Sequence, residues 1–113
     1  MLPASAPQPP LAEAAPLFAA LGDGTRLALT ARLAAAGPQS ITELTRESAV
    51  TRQAIAKHLN VLAAAGLVHG QRRGREHLWE FDGQRLDDAR GYLDAISRHW
   101  DGALGRLKAF VEE

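Results

Sequence analysis

Residues 50 to 68 run Val-Thr-Arg-Gln-Ala-Ile-Ala-Lys-His-Leu-Asn-Val-Leu-Ala-Ala-Ala-Gly-Leu-Val, and drawn as a helix they have two unlike faces. At about 100° per residue, Ile55, Leu59 and Leu62 fall within one narrow sector, while Gln53, Ala56, Lys57 and Asn60 lie on the far side. The aliphatic wedge has to be buried against other elements, and the polar side has to face out. Thr51 is placed to cap the first turn with its hydroxyl, and Gly66 ends the helix before Leu67 and Val68 begin an extended run. A helix held from behind with a polar front suits insertion into a DNA groove.

The chain of 113 residues has the length of one domain. Aromatic residues make up only 5%, which favours closely packed Ala- and Leu-rich helices over a sheet sandwich. With no cysteine, disulfides, zinc-thiolate sites, thiol redox sensing and cysteine nucleophiles are excluded together. No run of 18 apolar residues occurs, and Met1 to Pro10 has neither a basic n-region nor a continuous apolar h-region. A cytoplasmic protein without membrane contact is expected. An enzyme fails on inventory: no Gly-rich phosphate loop follows a strand, no nucleophile sits in a motif, and no carboxylate pair is set in apolar surroundings. No catalytic residue and no cofactor is therefore expected.

The net charge of zero hides an asymmetry along the chain. Residues 1 to 45 carry two basic and three acidic groups (net −1), residues 46 to 79 six and two (net +4), and residues 80 to 113 five and eight (net −3). Phosphate attraction depends on local basic surface and is screened within about 10 Å at 0.1 M salt, so a distant acidic segment barely offsets it.

Residues 1 to 10, with four prolines, are expected to form a disordered tail. A first helix spans Leu11 to Leu21, which Pro16 should start late or kink. Asp23 caps a second helix running to about Ala36, with Leu27, Leu29, Ala31, Leu33 and Ala34 as core material and Gly37-Pro38 as its stop. Ser40 and Glu43 have the spacing of a capping box, starting a short third helix that ends near Glu47 or Ser48. The helix from Thr51 follows, so the pair reads as a helix-turn-helix. Beyond Gly66, Leu67 to Arg72 and Glu76 to Phe81 form a hairpin around Arg73-Gly74-Arg75. Gly74 supplies positive φ at the turn, and Arg72, Arg73 and Arg75 at the tip fit phosphate or minor-groove contact.

From Gln84 to Val111 two rows repeat every seven residues: Leu86, Leu93, Trp100 and Leu107, then Ala89, Ile96, Ala103 and Phe110. These are the a and d rows of a heptad, and a domain this small offers no internal partner of matching length. A homodimer through this helix, about residues 84 to 111, is expected. Charges on the opposite face alternate in sign at helical spacing and read as solvated.

These residues together resemble the ArsR-type (ArsR/SmtB-like) winged helix-turn-helix repressors of bacteria, over nearly the whole chain from about Leu17. The likeness is carried by Leu21-Gly22-Asp23-Gly24-Thr25-Arg26-Leu27, by Ile41-Thr42-Glu43-Leu44, and by Ile55-Ala56-Lys57-His58-Leu59-Asn60-Val61-Leu62 with Ala65-Gly66-Leu67-Val68. Gly24 stands where the family usually has proline, which leaves the Asp23 cap intact. The resemblance implies a mainly helical winged-helix domain over residues 11 to 113, ordered α-α-α-α-β-β-α. It also implies a dimer paired through the first and last helices, with interface residues Leu17, Phe18, Leu86, Leu93, Ile96, Trp100, Leu107 and Phe110. By position, contacts to a double-stranded operator would come from Thr51, Arg52, Gln53, Ala56, Lys57 and His58, and from Arg73 and Arg75 on the wing. Gln53 could bond adenine edges, Arg52 or Lys57 guanine or phosphate, and Ala56 a thymine methyl. His58, about 60° off the core sector, is equally a flanking packer. Metal-sensing members use cysteine pairs or a D-x-H then H-x-x-E pattern on the last helix. This chain has neither, so no metal is expected and the effector stays unknown. A competing reading is a winged-helix protein association module with a vestigial DNA face, against which the arginine-rich tip argues.

Overall fold

The computed structural model describes residues 11–112, with side chains from Glu13 onward. Its elements run α1 (Leu11–Leu21), α2 (Gly24–Ala36), β1 (Gln39–Ser40), α3 (Ile41–Arg46), α4 (Arg52–Ala64), β2 (Val68–Arg73), β3 (Glu76–Phe81) and α5 (Gly83–Glu112). The expected proline-rich tail, residues 1 to 10, lies outside the described residues.

Local signals fix most of the helix starts. Asp23 accepts the Arg26 N–H at 3.0 Å, and Thr51 Oγ1 accepts the Ala54 N–H at 3.1 Å. Ser40 and Glu43 form both halves of a capping box. The backbone and hydroxyl donors of Ser40 hold the Glu43 carboxyl below its ordinary value, as the Arg26 N–H does for Asp23. Gly66, at φ +78°, turns the chain out of α4 in the left-handed region that a side chain resists.

The core forms where α4 lays Ile55, Leu59 and Leu62, all fully buried, against Leu29 and Leu33 of α2, Leu44 of α3 and Leu67. Three arginines close helix ends around it. Arg26 donates to the Ala20 and Ala19 carbonyls of α1, Arg32 to the Glu43 and Leu44 carbonyls of α3, and Arg85 to the Ala65 carbonyl beyond α4. Each places a cation on the negative end of a helix dipole.

Several expectations need correcting. Helix α1 does not start late at Pro16: it runs from Leu11 to Leu21 with the proline inside it on the exposed side. The one backbone bond that proline removes is offset by burial of Ala14, Leu17 and Ala20 opposite. Leu17 is therefore core: with 1% of its surface exposed it has nothing to offer a second chain. On α2 only Leu29, Thr30 and Leu33 are buried, and Leu27, Ala31 and Ala34 face outward. The hairpin is joined by a third strand: β1 pairs antiparallel with β3, Gln39 opposite Trp79 and Ser40 opposite Leu78, giving the order β1-β3-β2.

Candidate nucleic-acid interface

Of the thirteen basic residues, four (Arg90, Arg98, Arg106 and Lys108) lie exposed along α5, and the other nine fall into two groups. Arg26, Arg32 and Arg85 are half-buried and tied to backbone carbonyls. All six basic residues of 46 to 79, namely Arg46, Arg52, Lys57, Arg72, Arg73 and Arg75, are exposed. Among these six, the structure gives only Arg52 a hydrogen bond, from Nη1 to Thr42 Oγ1 at 3.1 Å, which ties the first turn of α4 to α3. The net +4 of this segment is thus presented to solvent. Of its two acidic members, Glu47 is drawn off by Arg32 at 3.3 Å.

Along α4 the outward face carries Gln53, Lys57 and Asn60, all exposed, with Ala56 half-buried at its edge. Thr51 is exposed, but its hydroxyl is engaged as the cap, so its free surface is chiefly the methyl group. His58 has the contacts of the second of its two readings, a flanking packer. Its side chain is 22% exposed, and Nδ1 turns inward, 3.4 Å from Arg26 Nη1 and 3.8 Å from Asp23 Oδ2. Arg26 is a permanent donor, so that bond needs a neutral ring with Nδ1 accepting; a protonated ring presents the same nitrogen to Asp23 as a donor. Either way His58 ties α4 to the start of α2 and is withdrawn from the open face. Asn60 and Arg46 join that exposed polar surface instead. The helical projection already put Asn60 outward, and the charge count of residues 46 to 79 already included Arg46; the positional likeness picked out neither.

The wing is built by register. Val68 faces Phe81, Gly70 faces Trp79, Arg72 faces His77 and Arg73 faces Glu76, leaving Gly74-Arg75 as a two-residue turn. Gly74 has φ +61° and Arg75 does not share a positive φ, the type II′ pattern whose twist matches the strands. A Cβ on Gly70 would overlap the His77 ring, which also lies 5.2 Å from the Trp79 ring. The glycine lets the histidine fold across the sheet. Arg72, Arg73 and Arg75 project from this tip.

Among the described residues no three histidine or acidic side chains gather as metal ligands, and no helix is long and apolar enough to cross a membrane. On α5 the structure buries only Ala89 and Tyr92, the latter with its phenol pushed up by burial. Leu86, Leu93, Ile96, Trp100 and Leu107 are exposed, and Phe110 is 75% exposed; Phe18 of α1 is half-buried. The second heptad row therefore begins in the chain's own core at Ala89 and leaves it further along.

Comparison with known proteins agrees with this geometry. A helix-turn-helix domain family matches residues 21–71. The HTH-type transcriptional regulator Rv2034 of Mycobacterium tuberculosis is 41% identical over 85 residues, 75% of this chain and 76% of that protein. The HTH-type transcriptional repressor SmtB of the same species is 32% identical over 102 residues, covering 90% of this chain and 73% of its own. Among solved structures, an ArsR-like transcriptional regulator from Rhodococcus sp. RHA1 is 40% identical and superposes with a TM-score of 0.78, over 88% of this chain and 92% of that one. The chain belongs to the ArsR-type family of winged helix-turn-helix transcriptional regulators, a non-enzymatic class of DNA-binding proteins.

Proposed function

We propose that the protein is a dimeric cytoplasmic repressor whose two α4 helices enter successive major grooves of a pseudo-palindromic operator. The observation that carries this reading is the segregation of arginines. Those outside residues 46 to 79 that touch the core are bound to helix ends, while all six cations within that segment are left exposed on α3, α4 and the wing. In this reading Gln53 and Lys57 address base edges, with Ala56 against a thymine methyl, while Arg52, Arg73 and Arg75 hold phosphates and Thr51 sets the helix start. His58 contributes by fixing α4 rather than by touching DNA. The repressor sense is carried over from SmtB, a transcriptional repressor.

The dimer is supported by what α5 leaves uncovered. Of ten large hydrophobic side chains exposed among the described residues, eight lie on α5. The radius of gyration, 18.5 Å, exceeds the roughly 13 Å of a compact domain this long, because α5 runs past the body. Pairing through Leu86, Leu93, Ile96, Trp100, Leu107 and Phe110, with Phe18 alongside, buries that face. Two reading helices would then meet sites about 34 Å apart on the duplex.

Electrophoretic mobility shift with DNA upstream of the protein's own gene is the direct test. Specific retardation that weakens steeply between 50 and 200 mM salt, roughly 10³-fold or more for six or more phosphate contacts, is expected. Absence of any specific complex at low salt refutes the reading.

A further inference from the structure

Five side-chain hydroxyls lie from Ser40 to Thr51, through α3 and the turn into α4, and four of them serve their own stretch of backbone. Ser40 and Thr51 cap helix starts, Thr45 Oγ1 donates to the Ile41 carbonyl at 2.7 Å, and Ser48 Oγ accepts the Val50 N–H at 3.2 Å. Thr42 is the exception. It is the second residue of α3, so the carbonyls three and four positions back belong to Gln39 and Pro38, ahead of the helix. Its hydroxyl is therefore not drawn into the helix's own ladder as that of Thr45 is. Oγ1 of Thr42 instead accepts from Arg52 Nη1 at 3.1 Å, between two different helices.

The carboxylates that could compete for Arg52 are engaged elsewhere. Glu43, beside Thr42, takes the N–H and the hydroxyl of Ser40, and Glu47 pairs with Arg32. No acidic residue follows until Glu76, so α4 itself offers none. Among the described residues Arg52 forms no ion pair. One of its five N–H groups is thus fixed on a neutral acceptor, and its charge is undiminished. A hydroxyl can orient a guanidinium without neutralising it, which a carboxylate cannot do. Among the six exposed cations of residues 46 to 79, Arg52 alone is held in this way.

We propose that Thr42 is a positioning residue for DNA binding: without touching the duplex, its hydroxyl holds the Arg52 guanidinium ready for a backbone phosphate. The inference rests on the phosphate role given to Arg52 above and adds what makes that contact effective. An arginine surrenders much of its rotamer freedom when it grips a phosphate, and a side chain already held surrenders less. Thr42 is fixed in its turn. The capping box opens α3 two residues before it, and Arg32 ties the Glu43 and Leu44 carbonyls to α2 just after it. The anchor at the start of α4 is thereby referred back to α2 through α3, at the opposite end of the helix from Gly66 and the wing.

Thr42→Val keeps the shape of the side chain and removes its oxygen, whereas Thr42→Ser keeps the oxygen. Thr42 is exposed, so both variants should fold, and circular dichroism checks this through Tm. Affinity of the full chain is measured by fluorescence anisotropy for DNA upstream of its own gene and for a random-sequence duplex of the same length, across about 50 to 200 mM salt. Thr42→Val should weaken binding to both by about two- to fivefold for each copy, about 4- to 25-fold for a dimer. It should leave the slope of log K against log salt unchanged, because no charge is lost, while Arg52→Ala should lower that slope by about 1 for each copy. Thr42→Ser should stay within about twofold of the wild type, and Thr42→Val added to Arg52→Ala should cost nothing further. An equal loss from Thr42→Val with and without Arg52 overturns the inference, since the hydroxyl then acts on the fold alone. Unchanged affinity in Thr42→Val beside a clear loss in Arg52→Ala overturns it too and leaves the phosphate contact standing. A Thr42→Val loss confined to one operator base pair makes Arg52 a base reader and overturns both. So does a salt slope unmoved by Arg52→Ala.

Discussion

Replacing Gly66 by alanine tests the junction between the reading helix and the wing. The residue sits at φ +78°, and an alanine Cβ there would lie 3.1 Å from both Cγ and Nε of Arg85. The left-handed backbone costs a non-glycine residue about 1–2 kcal/mol. The methyl group also pushes away the guanidinium that caps the Ala65 carbonyl and bonds Asp88 at 3.2 Å, a further loss of about 1 kcal/mol for a part-exposed interaction. The sum is about 2–3 kcal/mol, and at about 4 °C per kcal/mol for a chain this long, Tm should fall by about 8–12 °C. Gly24 provides the opposite control, because a Cβ there meets nothing within 4 Å and its φ is not positive. Gly24→Ala should raise Tm by a few degrees, through helix propensity and a less flexible unfolded chain. Thermal unfolding followed at 222 nm, at one fixed protein concentration because a dimer's Tm depends on it, measures both. In an Arg85→Ala background, Gly66→Ala should cost only its backbone share. Equal Tm changes for Gly66→Ala and Gly24→Ala would refute the reasoning, and so would a full-sized effect without Arg85.

Other outcomes follow from the same contacts. Arg73→Ala should weaken binding to all DNA sequences alike and lower the slope of log K against log salt by about 1, whereas Gln53→Ala should relax preference at one base pair at a cost of about 1–3 kcal/mol; titrations against a substituted operator set separate the two. His58→Gln should lower Tm while changing specific DNA affinity less than threefold in the same titrations, and a large affinity loss with intact Tm would return His58 to the DNA face. Asp23 and Glu43 are both held below their ordinary values, so each contributes stability that is complete above the unfolded-state value and lost as pH falls through the depressed folded one. Urea unfolding between pH 5 and pH 2 should therefore show stability declining with acid, with a shallower decline in Asp23→Asn and Glu43→Gln.

Signals that act over one helical turn were legible in the sequence. The caps at Asp23, Ser40 and Thr51 and the stop at Gly66 depend on neighbours three or four residues away, and they lie where spacing put them. Periodicity likewise gave the buried and open faces of α4. It could not say which chain does the burying, and that is why Ala89, read as part of a seam between copies, lies in the protein's own core; Leu17, assigned to that seam by the resemblance, lies there too. Alanine carries too little hydrophobic preference to place Ala31 and Ala34, which face outward on α2. Strand β1 was invisible because two residues make no pattern of their own; they extend only because Leu78 and Trp79, nearly forty positions later, offer them an edge. The inward turn of His58 depends on Asp23 and Arg26, more than thirty positions earlier, and angular position on a wheel does not report it. The exposed members of the interface were within reach of charge counting and helical projection, but their base partners depend on a DNA sequence that the chain does not encode.

Strand β1 also bears on how the molecule avoids unwanted company. A three-stranded sheet has two open edges, and an open edge invites strand addition and fibre growth. With β3 central, one edge is β1, whose two residues are too short to template another strand. The other is β2, which ends in the charged pair Arg72 and Arg73. Both edges thus carry features that oppose strand addition, one by its shortness and the other by its charge, which leaves the sheet a poor template for aggregation.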